Sequence, residues 1–256
     1  VGRLPGTAGP GDPGAGRGIG GRISGTVGTL PPGGLDLTMI DNTFDGSLAN
    51  TFTNNGDAHI GIIFDGGTDN IVRISGHTFN DAFNGPLADF NGDGINYIVR
   101  NGAVLRGFVK SSEISGNNGN GIFMEATAGQ VNDFEIGGLA IGEGNVITNN
   151  GLGGLPINQA PLTFHGINIF RRDAGQYNDL LIARNQITQN GLTAAGGIAS
   201  FANGIFIRAS GSDQVGLANG RPDTVRIEQN ILTDNLGDGI EFRVEADADL
   251  NVDVIN

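Results

Sequence analysis

Four groups of residues in this 256-residue chain have types and spacings suited to chemistry. His165 precedes Gly166 and has the side chain of a general base near neutral pH. Arg171 and Arg172 suit a uronate carboxylate, with Asp173 beside them as an acid or a calcium ligand. Phe123, Phe170 and Phe206, joined by Arg208 and Arg243, suit either sugar stacking or a protein interface rich in aromatics and arginine. Asp247 and Asp249 are the densest acidic pair and the candidate calcium ligands, although calcium needs several oxygens converging on one point. Neither an EF-hand loop nor the glycine-aspartate nonapeptide of calcium-binding β-rolls is present. Each group also has a structural reading. His165 fills a slot held elsewhere by Asp93, Asn120, Asn203 and Asp238, which is expected to select for tolerance of left-handed backbone. An isolated Arg/Asp cluster also suits a solvated turn.

Which elements would position these residues follows from composition. The chain has 46 Gly, 14 Phe, no Cys, no Trp and one lysine, Lys110. Asn and Asp are abundant, and with Gly they favour tight turns. No long stretch carries a 3.6-residue apolar period, so many short strands joined by turns are expected. The net charge of −13 and a sequence pI near 4.4 argue against nucleic acid, whose binding is dominated by lysine and arginine contacts to phosphate. No run reaches the roughly 18 apolar residues of a membrane-spanning helix. Without cysteine there are no disulfides or thiolate metal sites, and the compartment is left open.

A repeat then emerges. A turn residue, Gly and Ile open a short strand at Gly94-Ile95, Gly121-Ile122, Gly166-Ile167, Gly204-Ile205 and Gly239-Ile240, with a degenerate copy at His59-Ile60. A second element carries Asn two residues before an apolar position: Asn42 before Phe44, Asn145 before Ile147, Asn185 before Ile187 and Asn230 before Leu232. His77 and Ser112 take the Asn position before Phe79 and Ile114. Stacking such units at ~4.8 Å places the isoleucines in an internal ladder and the asparagines in a turn ladder. Residues alternate inward and outward along each strand. The first outward column is Asn96, Phe123, Asn168, Phe206 and Glu241, and the next is Ile98, Glu125, Phe170, Arg208 and Arg243. The expected fold is all-β, a solenoid of about six to seven coils.

On these motifs, with Ile136-Gly137-Gly138 and the run from Gly142 to Asn150, the chain resembles the right-handed parallel β-helix repeat proteins of the pectate-lyase-like superfamily. It is closest in pattern to large secreted and surface β-helix proteins of bacteria. The resemblance covers residues 35–256 and implies a right-handed parallel β-helix in an extracellular or cell-surface setting. It does not fix an activity, because that scaffold carries lyases, hydrolases, epimerases, adhesins and tailspikes. The set of calcium-binding acids with a catalytic arginine is missing, as is the adjacent aspartate pair of the polygalacturonases.

The ends differ from the repeats. Residues 1–34 hold 13 Gly and 5 Pro and read as an extended arm, either a flexible linker or a segment packed on a neighbouring molecule. Residues 250–256 alternate like a strand without a cap, so a further coil from a longer parent chain or another subunit is expected to cover them. The favoured expectation is therefore a structural subunit of a fibre, sheath or surface layer, or an adhesin, assembling through the arm and the open last coil. The alternatives are a polysaccharide lyase or hydrolase using Arg171, Arg172, Asp173 and His165, and a carbohydrate-binding module using the Phe/Arg face. No cofactor is expected apart from calcium. The partners expected are copies of the chain itself or polysaccharide.

Overall fold

The computed structural model describes residues 58–66, 70–82, 92–151, 164–191, 202–211, 224–246 and 248–256, and the backbone alone of 19–24, 36–40 and 51–53. These residues form strands in three wholly parallel sheets that stack along one axis, a parallel β-helix of about six coils. Sheet A contains β1 (Ile19–Ser24), β4 (Ile60–Asp65), β7 (Ile95–Arg100), β10 (Ile122–Thr127), β13 (Ile167–Arg172), β16 (Ile205–Ser210) and β19 (Ile240–Val244). Sheet B contains β2 (Asp36–Ile40), β5 (Asn70–Ser75), β8 (Val104–Lys110), β11 (Gln130–Gly137), β14 (Gln176–Ala183), β17 (Thr224–Glu228) and β20 (Asn251–Ile255). Sheet C has three-residue strands: β3 (Thr51–Thr53), β6 (Thr78–Asn80), β9 (Glu113–Ser115), β12 (Val146–Thr148), β15 (Gln186–Thr188) and β18 (Ile231–Thr233). No helix among the described residues is long and apolar enough to cross a membrane.

The expected register is the observed one. Ile60, Ile95, Ile122, Ile167, Ile205 and Ile240 are paired in sequence along sheet A, and all but the last are fully buried. The next inward column runs Ile62, Tyr97, Met124, Ile169, Ile207 and Phe242, and in sheet B Val72 is followed by Gly107, Phe134, Leu180, Val225 and Val252. Neighbouring side chains exchange volume, as Gly107 does below Phe134. A Cβ on Gly107 would stand 1.7 Å from the Val72 carbonyl oxygen. These columns make one core, and inward aliphatics follow from the period-two pattern of each strand.

Two placements depart from the sequence reading. The strand before β6 in sheet C is Thr51–Thr53, with Phe52 paired to Phe79, whereas the spacing pointed to Phe44. Coil length varies with the loops, so the Asn42–Phe44 spacing alone does not fix the strand that pairs with β6. Strand β1 lies inside residues 1–34 and pairs with β4, so sheet A begins within the Gly/Pro-rich stretch. Gly18-Ile19 is a further copy of the Gly-Ile motif that the arm's composition concealed.

The turns are held by side-chain ladders. Asn145 donates from its backbone N–H and from Nδ2 to Asn185 Oδ1, and Asn185 does the same to Asn230. The second Nδ2 hydrogen goes to a strand carbonyl, that of Val109 for Asn145 and Ile136 for Asn185. Every polar valence of these buried amides is thereby used. A second ladder through Asn117, Asn150, Asn190 and Asn235 follows the same rule on the other side of sheet C. Positive φ falls one residue before the ladder amides, at Arg184, Gln229, Asn149, Gln189 and Asp234.

Candidate functional site

The slot that precedes each Gly-Ile pair is a third ladder rather than a left-handed turn. None of Asp93, Asn120, His165, Asn203 and Asp238 has positive φ. Each of the first four instead accepts the backbone N–H of the slot residue in the following coil. Asp93 Oδ1 takes that of Asn120, Asn120 Oδ1 that of His165 at 2.8 Å, and Asn203 Oδ1 that of Asp238 at 2.7 Å. His165 continues the series with its ring: the N–H of Asn203 donates to Nδ1 at 3.0 Å. The slot therefore selects for an acceptor at the reach of an Asn or Asp oxygen, and imidazole Nδ1 meets that requirement.

This bond decides what His165 can do. With Nδ1 accepting, the neutral ring carries its proton on Nε2, which is buried without a hydrogen-bond partner among the described residues. The residue is 2% exposed, and burial pulls its pKa down to about 4; Glu241 opposes that shift and Arg243 adds to it. So held, His165 offers a donor and no free lone pair, which is the wrong form for a general base.

A cleft of about 580 Å³ opens beside it, lined by His165, Asn203, Phe206, Asp238, Glu241 and Arg243 among others. Phe206 stacks on the His165 ring at 4.5 Å, with the Arg243 guanidinium 5.5 Å from its centroid. Glu241 accepts from Asn203 Nδ2 at 2.6 Å and from Arg243 at 2.9 Å. The polar groups of the cleft are thus largely satisfied by one another.

The outward Phe/Arg face lies in the expected columns, but it is not an exposed aromatic patch. Phe170 is 9% and Phe206 7% exposed, and only Phe123 is half-buried. Arg172 and Arg208 stand 4.8 and 4.9 Å from the Phe170 centroid. A sugar ring stacking there would have to displace a guanidinium. Each arginine also faces a carboxylate: Arg172 that of Glu125, Arg208 that of Glu245 and Arg243 that of Glu241. The face is therefore close to neutral, with its charges paired along the strands.

The Arg171-Arg172-Asp173 run is not brought together. Arg171 occupies an inward position between Ala126 and Ala209 and is 4% exposed, so the two alanines leave room for its stem. Arg172 points outward from the same strand, and Asp173 is exposed at the turn with φ 51. Adjacent strand residues face opposite sides, so the two arginines cannot clasp one substrate. Of the calcium pair, Asp249 is exposed and Asp247 lies outside the described residues. Among the described residues no three His, Asp or Glu side chains stand together as a metal group.

The last coil presents a different feature. Phe242, Val244 and Val254 lie in inward columns whose members one coil earlier, Ile207, Ala209 and Ile227, are buried, yet they are 42, 51 and 59% exposed. Together with the edges of β19 and β20, which pair with no further strand among the described residues, they form an apolar rim on the last described coil. Alternation in residues 250–256 signalled this end, but the sequence reading did not single out Phe242 or Val244.

Comparison with protein-family models, with curated proteins and with solved structures returned no match. The fold and the site geometry therefore carry the functional argument alone.

Proposed function

We propose that this chain is a structural β-helix module, extended along its axis by a further β-coil that binds the rim of β19 and β20. The carrying observation is the exposure of Phe242, Val244 and Val254 in columns that are otherwise core. Burying the exposed half of such side chains is favourable by roughly 1 kcal/mol each, and a covering strand would also pair the free backbone groups of the two edges. A fibre, sheath, surface layer or adhesin outside the cell is the setting this reading implies. Right-handed winding and a place in the pectate-lyase-like superfamily belong to the same proposal. They are supported by the strong preference of parallel crossovers for that hand and by the amide ladder between sheets B and C. The test is particle size by light scattering and electron microscopy for the parent and for the Phe242→Ser/Val254→Ser double variant. The parent should form axially extended particles, and the variant, with unchanged strand circular dichroism, should stay monomeric. Equal particle sizes for the two would sink the reading.

A further inference from the structure

We propose that Asn101 is a site of spontaneous covalent modification, where the folded protein converts an amide to aspartate or isoaspartate and sets a second carboxylate against Asp65. An asparagine followed by glycine is open to attack on its own side chain by the next backbone nitrogen, because glycine has no Cβ to hold the two apart. Among the described residues six such pairs occur, beginning at Asn101, Asn118, Asn120, Asn150, Asn190 and Asn203. Their surroundings separate them. Asn120 accepts the His165 N–H at 2.8 Å and donates from Nδ2 to Asp93 at 2.9 Å. Asn150 and Asn190 each give both Nδ2 hydrogens away, the first to Ile114 and Asn190, the second to Ile147 and Asn235. Asn203 is held between the Asp238 N–H at 2.7 Å and the Glu241 carboxylate at 2.6 Å. Each of these side chains must leave its ladder before its carbonyl carbon can meet the next nitrogen. Asn118 is half-buried, and the N–H of buried Gly119 behind it donates to the Gly92 carbonyl at 3.0 Å.

Asn101 and Gly102 are both exposed, in the turn between β7 and β8. Among the described residues the Asn101 side chain makes a single hydrogen bond, from Nδ2 to Asp65 Oδ1. A Cβ on Gly102 would have nothing within 4 Å, so the space around the attacking nitrogen is open. The Gly102 N–H donates to the Ala128 carbonyl at 2.6 Å, a bond between two exposed turns, and such bonds open at little cost. In the reaction the Gly102 nitrogen bonds to Cγ of Asn101, its proton passes to the departing side-chain nitrogen, and ammonia leaves. The cyclic succinimide then takes up water at either carbonyl, giving aspartate or isoaspartate. The product bears on the stack. Asp65 of β4 and Arg100 of β7 are register partners joined at 3.1 Å, and Asn101 adds its bond to the same carboxylate. Replacing that donor by a carboxylate turns attraction into repulsion between like charges. Isoaspartate also lengthens the main chain within the turn that the Ala103 N–H closes on the Arg100 carbonyl at 3.1 Å.

The experiment ages the full chain in mildly alkaline buffer, folded and in urea, and reads each site by tryptic mass spectrometry. Cleavage after Arg100 and Arg106 isolates Asn101 in peptide 101–106. Peptide 111–171 carries Asn118, Asn120 and Asn150, and 185–208 carries Asn190 and Asn203. In the folded protein Asn101 should convert at least about tenfold faster than the other five, whereas in urea all six should convert at similar rates. If peptide 101–106 keeps its amide in the folded chain yet converts in urea, the Asp65 and Ala128 bonds protect Asn101 as the ladders protect the rest, and the inference is overturned. Equal conversion of all six sites in the folded chain overturns it too. Asn101→Asp stands in for the product. Its urea midpoint should lie below the parent's at low salt and approach it as salt screens the contact with Asp65. Matching midpoints at low salt would overturn the claim that the new carboxylate strains that contact.

Discussion

At the scale of single residues, His165 shows how a chemically suggestive side chain becomes structural. Its neighbours in the slot are legible from sequence, and they pointed to a structural role. The physical reason was not legible, because an acceptor requirement and a left-handed backbone both select Asn and Asp. Only the donor geometry at Asn203 separates them. The consequence is a pH dependence. The folded pKa of about 4 lies below the ordinary 6.5, so the unfolded chain binds the proton more readily. The stabilisation is fully present above pH 6.5, declines as pH falls toward 4, and is gone below that. His59 is also depressed to about 4, chiefly by burial, and contributes in the same sense. Glu241, Arg243 and Asp238 face His165 across the cleft and are retained in the test variant. His165→Asn keeps an acceptor for the Asn203 N–H, as Asn120 does for His165, and removes one titration. Urea unfolding between pH 7 and 4 should then fall less steeply for the variant, by up to a few kcal/mol over the window. Parallel curves for variant and parent would show that the ring's titration has no part in the acid sensitivity.

At the scale of the strand and its turn, the periodic signals were sound where a repeated contact enforces them. The Gly-Ile pairs gave the right register for sheet A because every coil must pass the same carbonyl. The Asn145–Asn185–Asn230 ladder was visible for a similar reason: each amide bonds the one above. The ladder of Asn117, Asn150, Asn190 and Asn235 was missed, although it has a signal, an Asn three residues after Ile114, Ile147, Ile187 and Leu232. Strand β3 was misplaced because a three-residue strand carries little pattern and Asn42 before Phe44 repeats the Asn-x-apolar spacing of the later coils. The Gly-Ile pairs also allow a controlled comparison. Gly121→Ala brings a methyl to 2.6 Å from the Gly166 oxygen, 2.7 Å from the Ile147 side chain and 3.0 Å from the Asn150 amide. Backbone and ladder must both yield, so a loss of about 2 kcal/mol or more is expected. The same substitution at Gly239 should be neutral within about 0.5 kcal/mol in the monomer. Chemical denaturation of the two variants measures the difference, and equal losses would mean that glycine is needed for its own backbone after all.

At the scale of the whole molecule, a solenoid has neighbours only above and below, so its stability is distributed along the axis. The core-facing side chains of β10, Ile122, Met124 and Ala126, are fully buried between two coils, while Phe242 and Val244 of β19 have a coil on one side only. The two strands present equivalent inward columns, Ile122, Met124 and Ala126 against Ile240, Phe242 and Val244, so a difference in their opening reports chiefly the coil that covers one and not the other. The free energy of opening should fall from β10 through β13 and β16 to β19, in steps set by the loss of a neighbouring coil. Native-state hydrogen exchange on dilute protein checks this through the amides of Phe123, Asn168, Phe206 and Glu241, which face the preceding coil. Protection at Glu241 should be lowest and should rise selectively when the protein is concentrated enough to assemble, with Phe123 unchanged. A single opening free energy for all four amides at low concentration would mean that the coils unfold as one unit, and the picture of an end waiting for its next coil would have to be abandoned.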